Sequence, residues 1–333
     1  MASIMTNASA LTALQSLSAT QKNLDTTQAR ISTGYRVSQA SDNAAYWSIA
    51  TTMRSDNQAM STVSDALGLG ASKVDTAYTG MNSAIDTINQ IKTKLVASYG
   101  QTDADKGKTQ TEIAALQKQL KAYADGATFS GTNMLSVDSG TGTAVADVKI
   151  VSAFNRDASG ASSISTIDVN VESTKLYEAG TTAGTAKGIL DADRLGSTGA
   201  ITTTTQNPTA GAAPNVNGLD TYSVATLKVF DSTAGKGFSD AQIADQMKVV
   251  DAALKDMTNA ATTLGAAKSS IDLQKTFTQS LMDSIDRGVG QLVDADMNKE
   301  STRLQALQVQ QQLGVQALSI ANGSSQSILS LFR

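Results

Sequence analysis

Few residues in this chain could do catalytic chemistry. It contains no histidine and no cysteine. That removes the commonest general base, the commonest zinc ligand, every Ser-His or Cys-His nucleophile pair, and any disulfide or thiolate site. A carboxylate- or lysine-based centre remains open, and Asp294 and Asp296 are a close acidic pair. Two positions apart on a helix they point to different faces, so they are not read as an acid/base pair. Leu67–Ala71 (LGLGA) and Gly288–Gly290 (GVG) are glycine-rich, but neither follows a strand as a phosphate-cradling loop must. The methionines recur at helical spacing and read as core filling. Arg30, Arg36, Asp42 and Asn43, around the helix-interrupting Gly34, read as solvated polar surface, and Trp47, the single tryptophan, as core or interface packing. No catalytic residue, cofactor or metal is assigned.

Composition narrows the class further. The net charge is −4 and the pI about 4.9, the wrong sign for gripping a phosphate backbone, so no nucleic-acid partner is expected. No run of 18 apolar residues exists, so no membrane-spanning helix is expected. The first basic side chain is Lys22, so the start lacks the charged region of a cleaved signal peptide. Absence of cysteine also suits a chain that is exported unfolded. Hydrophobic residues make up 41% of the 333 but aromatics only 4%, a composition that favours closely packed helices over one wide globular interior.

The elements follow from periodicity. Met53, Met60, Leu67, Val74, Met81, Ile88 and Leu95 fall at strict intervals of seven, with companions three and four residues on, which predicts one long helix with an apolar seam. A second seam runs through Val250, Met257, Leu264, Ile271, Ile285 and Leu292, broken at Thr278. A shorter helix around Ile113, Leu116 and Leu120 folds back on the first, and the three form a bundle with left-handed, nearly parallel packing. Both ends carry weaker helical stripes. Ile4, Leu11, Leu14, Leu17, Leu24 and Ile31 form the first, and Met297, Leu304, Leu307, Leu318, Ala321, Ile328 and Phe332 the last, with Gln311 and Gly314 in two seam positions. Neither stripe has a partner next to it in sequence, so the first helix is expected to pair with the last. Between the helical halves, residues 127–239 hold 13 of the 25 glycines and both prolines. VADVKIV, SISTIDVNV and YSVATLKVF read there as strands separated by turns.

The fold expected is therefore mainly α with a β-rich insertion: a terminal coiled coil, an α-helical bundle core domain with a β-hairpin, and a small outer β-containing domain. Its boundaries are 1–41 (N-terminal arm), 42–135 (core, first part), 136–239 (hairpin and variable outer domain), 240–292 (core, second part) and 293–333 (C-terminal arm). The terminal stripes carry too few large side chains to offset the entropy of ordering so long a backbone. Neighbouring copies would supply the missing burial, with the termini ordering as a subunit docks. A contact between unlike surfaces that repeats without closing builds an open helical filament.

Specific residues then point to a family. IMTNASALTALQSL at the start, ARISTGYRVSQASDNAAYWSIATTM after it, GATFSGTNMLS at the edge of the insertion, and QALSIANGSSQSILSLFR at the end resemble, in order, four elements of the bacterial flagellins. The matches cover both arms and more than half the chain. Asn43 stands where the family usually has a second Asp, and Tyr46-Trp47 replace small residues, a variant similar to flagellins of the alphaproteobacterial type. The resemblance implies a secreted subunit of the extracellular flagellar filament, exported through the flagellar type III apparatus without signal cleavage. It also implies a homo-polymer, in some cases with related flagellins, and as partners an export chaperone on the C-terminal helix, a cap, and hook-junction proteins. It places Arg30, Arg36, Asp42, Asn43 and Trp47 at an inter-subunit joint. Flagellins detected by animal innate receptors carry Leu-Gln-Arg-Val-Arg-Glu-Leu-Ala in the first core helix. Asn89–Val96 (NQIKTKLV) aligns there, with Ile91 and Thr93 in place of the arginines, Lys94 in place of the glutamate, and Leu95 kept. Loss of those charged donors implies evasion of the receptor. The alternatives are a hook–filament junction protein sharing the terminal helices, a chemoreceptor-type signalling coiled coil, which would need a membrane span and a helical midpoint, and an enzyme housed in the β-rich module.

Overall fold

The structure, a computed structural model, describes residues 7–139, 146–157, 159–180, 187–214 and 219–331, with side chains to residue 323. Five long helices carry the chain: α1 (Ala8–Thr33), α2 (Ala44–Ser98), α3 (Asp103–Gly126), α4 (Asp240–Val293) and α5 (Met297–Leu331). The chain forms two compact units, one made of Met1–Ala59 with Ser280–Arg333 and the other of Met60–Gln279. Their boundaries fall inside α2 and α4, because a helix with an unbroken seven-residue seam gives the backbone no place to stop.

In the second unit the seams meet as the spacing requires. Leu67, Val74, Met81, Ile88 and Leu95 of α2 are fully buried with Ile113 and Leu120 of α3 and Val250, Met257, Leu264 and Ile271 of α4. Thr278, the break in the second seam, is buried as well. Thr102 starts α3 by accepting from the Asp105 amide, with Asp103 and Asp105 in the positive first turn. Leu67–Ala71 lies in the middle of α2. A side chain at Gly70 there would collide with Ile150 of the insertion, so this glycine serves a close approach.

The insertion is built mostly from two-residue pairings. β1 (Thr128–Phe129) and β2 (Thr132–Asn133) form a tight hairpin, and β3 (Ser136–Val137) runs parallel to β6 (Tyr177–Glu178). β4 (Val148–Arg156) and β5 (Ser162–Val169) make a long antiparallel hairpin with a register shift between Val151 and Ala153. β7 (Arg194–Leu195) pairs with β8 (Thr221–Tyr222), and β9 (Phe230–Asp231) with β10 (Lys236–Gly237). The first two expected strands correspond to β4 and β5. The third, YSVATLKVF, is not one strand: Val224–Thr226 form a 3-10 turn between β8 and β9. Side-chain amides from α3 replace a ladder there. Gln117 Nε2 donates to the Val224 and Leu227 carbonyls at 2.9 and 3.0 Å, and Gln110 Oε1 accepts from the Val229 amide at 2.7 Å. Val224, Leu227 and Val229 thereby enter the same apolar cluster as the helices, so the insertion shares the bundle's core.

Candidate assembly site

The two ends of the chain meet in the first unit. Asn7 caps α1, its Oδ1 accepting from the Ala10 amide at 3.0 Å, and its Nδ2 reaches α5 at the Ala321 carbonyl, also 3.0 Å. Leu24 and Leu307 are buried, while Leu17, Ile31, Leu304 and Leu318 are half-buried. The two polar interruptions of the C-terminal stripe have structural roles. Gln311 donates to Gln21 across the helices at 2.8 Å, and a Cβ on Gly314 would lie 3.2 Å from Leu17 Cδ1, so glycine admits the leucine. Thr20 and Thr27 are buried in α1 beside Leu24. Leu11 and Leu14, expected on the same stripe, are instead 60% and 54% exposed, and on α5 Val309, Leu313, Val315 and Ile320 are more than half exposed. Leu14, Leu17, Gln311 and Val315 line an open groove of about 360 Å3 between α1 and α5. Ile4 and Phe332 lie outside the described residues, as does the side chain of Ile328.

A joint follows α1. Gly34 ends the helix with φ 75, returning its N–H to the Arg30 carbonyl at 2.9 Å, a left-handed cap that glycine adopts without steric cost. The chain then lies against the end of α4. Arg36 and Val37 amides donate to the Val293 carbonyl, the Ala295 amide donates to Gly34, and the Arg36 guanidinium donates to the Leu292 carbonyl at 3.0 Å. A small core of Val37, Ala50, Val289 and Val293 closes beneath. Arg30 pairs with Glu300 at 3.3 Å, and both are largely buried. Asp42 Oδ2 accepts from the Ser38 and Gln39 amides, which hold its carboxyl below the ordinary range. Asn43 caps α2 by accepting from the Tyr46 amide at 3.1 Å. Trp47 is 40% exposed, set on the first turn of α2 outside the small core.

The acidic pair Asp294 and Asp296 is not on a helix, as the sequence reading assumed. Both sit in the break between α4 and α5, Asp294 bridging to Tyr35 and Asp296 capping α5 through the Asn298 and Lys299 amides at 3.1 and 3.2 Å. The cap and the Glu300 partnership were missed because the periodicity of the seam runs straight across the break. Asp296 just ahead of a helical stripe was the available signal. In the second unit the receptor-aligned segment divides by face. Ile91 and Leu95 are fully buried, Thr93 returns its hydroxyl to the Asn89 carbonyl, and Lys94 pairs with Glu112 of α3 at 2.6 Å.

Two terminal helices paired along their length, with apolar side chains left uncovered on both, describe a subunit with helical assembly arms. Residues 4–140 match the family described as the bacterial flagellin N-terminal helical region, and residues 247–332 the bacterial flagellin C-terminal helical region. Flagellin C of Rhizobium meliloti strain 1021 is 49% identical over 340 residues, and the flagellin of Brucella melitensis biotype 1 is 47% identical over 334, each alignment covering 100% of both chains. Flagellin A of Rhizobium meliloti strain 1021 is 44% identical over 405 residues with the same coverage. The chain belongs to the bacterial flagellins: it is a structural subunit of the flagellar filament and not an enzyme.

Proposed function

We propose that this flagellin is secreted unfolded through the flagellar export apparatus and completes its arm structure only as it docks at the growing tip of an extracellular filament. An export chaperone would hold the C-terminal helix before docking, a cap would guide folding, and hook-junction proteins would seat the first copies. Related flagellins are natural companions in the same polymer. The carrying observation is the uncovered apolar surface of the arms: Leu11, Leu14, Leu313 and Ile320 are all at least 54% exposed although they lie on paired helices. Single exposed leucines are ordinary, but several along one helix pair mark a surface that another chain covers. Arg30, Arg36, Asp42, Asn43 and Trp47 form the joint that presents this surface, and Trp47 is its exposed aromatic anchor.

Negative-stain microscopy of the purified subunit, beside a truncation lacking Ser327–Arg333, tests the reading. Long filaments are expected from the intact chain and none from the truncation. An intact chain that stays monomeric under polymerising conditions, with stably folded arms, would remove the assembly account.

We further propose that the protein escapes the innate receptor that detects other flagellins. Exposed Thr93 and the Lys94–Glu112 pair offer no arginine fork where the recognised sequence has two. Purified subunit applied to receptor-bearing reporter cells is expected to give no response above background, whereas a response equal to that of a recognised flagellin would end the proposal.

A further inference from the structure

A cavity of about 360 Å3 opens in the insertion, walled by the segment around β8 and β9 and by Gln246 of α4. Two side chains on its wall are buried: Tyr222 is 6% exposed and Gln246 is not exposed at all. The Tyr222 hydroxyl and Gln246 Oε1 have no hydrogen-bond partner among the described residues. Buried polar atoms are rarely left so, because each costs its desolvation free energy. The amide cannot resolve the matter by flipping, since Gln246 Nε2 already donates to the Lys228 carbonyl at 2.8 Å. Burial, and then Asp220 and Asp245, push the Tyr222 phenol up, so it stays protonated and can donate. The wall therefore presents one unused donor and one unused acceptor.

A ligand hydroxyl answers both at once, accepting from tyrosine and donating to glutamine. The charges nearby are already matched. Asp193 pairs with Lys187 at 2.7 Å, and Asp231 is held below the ordinary range by the Thr233 and Ala234 amides and then by Lys228. No uncompensated charge is left to select an ion. Phe238 and Leu227 add apolar surface to the same wall, suited to the C–H face of a sugar ring. The space far exceeds that of one water.

We propose that this cavity binds a neutral monosaccharide, with Tyr222 and Gln246 reading one of its hydroxyls. Saturation-transfer NMR on the full-length monomeric subunit, using neutral hexoses, 6-deoxyhexoses and a uronic acid as probes, tests it without any polymerisation readout. At least one neutral sugar is expected to bind saturably and more tightly than the uronic acid. Tyr222→Phe and Gln246→Met should each weaken it about tenfold, the effect of one buried hydrogen bond, with the thermal melt unchanged. Absence of saturable binding by every sugar, equal binding of the uronic acid, or binding indifferent to both substitutions would overturn the proposal and leave a cavity that holds ordered water only.

Discussion

Leu14→Gln combined with Val315→Gln leaves the free subunit folded and stops it from forming filaments at concentrations where the unsubstituted chain polymerises. Both side chains are 54% exposed and line the groove between α1 and α5, so neither belongs to the buried core of the subunit. Gln is a good helix former, and surface changes of this kind usually move stability by less than about 0.5 kcal/mol. In the polymer the account is different. Covering a leucine or valine contributes roughly 1.5–3 kcal/mol. Losing two such contacts per subunit would raise the critical concentration roughly 10²–10⁴-fold at about 1.4 kcal/mol per tenfold. Sedimentation of polymer against total protein measures this, with circular dichroism of the monomer as control. Unaltered critical concentration would show that neighbours do not cover the groove. A loss of monomer helicity would instead assign the two residues to packing within the chain.

The helical frame was legible in the sequence because its signal is long-range periodicity. The seven-residue series of α2 places Leu67, Val74, Met81, Ile88 and Leu95 inside without exception, and the helix around Ile113 and Leu120 folds against it as expected. Pairing of the two ends followed from the absence of any nearer partner. Periodicity is blind where a helix face is shared with solvent. It put Leu11 and Leu14 on the same stripe as Leu24, but the crossing of α1 and α5 buries only the latter. It was equally blind to the break at Asp294–Asp296, where a cap and two backbone contacts end one helix and begin another without disturbing the apolar spacing. The insertion was the least legible part. YSVATLKVF has the composition of a strand, but the glutamines that satisfy its backbone lie on α3, more than a hundred residues away in sequence. No local pattern encodes a ladder partner that is a side chain on a distant helix. The joint lies between these extremes: Gly34 and Asn43 announce its turn and cap, while the contacts of Arg36 with the end of α4 are visible only in three dimensions.

Gly188→Ala breaks the insertion open. The Ile189 and Leu190 amides donate to the Lys175 and Leu176 carbonyls, each at 3.0 Å, so Gly188 sits where two backbones run side by side. A Cβ there would lie 2.5 Å from the Leu176 carbonyl carbon and 2.6 Å from the Tyr177 nitrogen. These are main-chain atoms, which cannot rotate aside as the tip of a flexible side chain would, so the two segments must separate. Their separation disturbs a group that tolerates little movement. Lys175 is fully buried, with its ammonium at 2.9 Å from Glu172, 3.1 Å from Glu178 and 3.0 Å from the Ser139 hydroxyl. Burial disfavours the Glu178 carboxylate, yet the Ser139 hydroxyl and amide together with Lys175 outweigh it and hold that carboxyl below the ordinary range. Leaving a buried ion without its partners costs about 3–5 kcal/mol, and exposing part of Leu176 and Leu190 adds to it. Chemical denaturation of the second unit should therefore show a loss on the order of 3–5 kcal/mol, with early proteolytic cleavage between Glu172 and Ala192. Gly288→Ala is the matched control, because its Cβ meets nothing within 4 Å in the middle of α4. There alanine is expected to stabilise by up to about 1 kcal/mol. If Gly188→Ala were as stable as the unsubstituted chain, the two backbones must part freely in solution, and Lys175 would be held by its carboxylates alone.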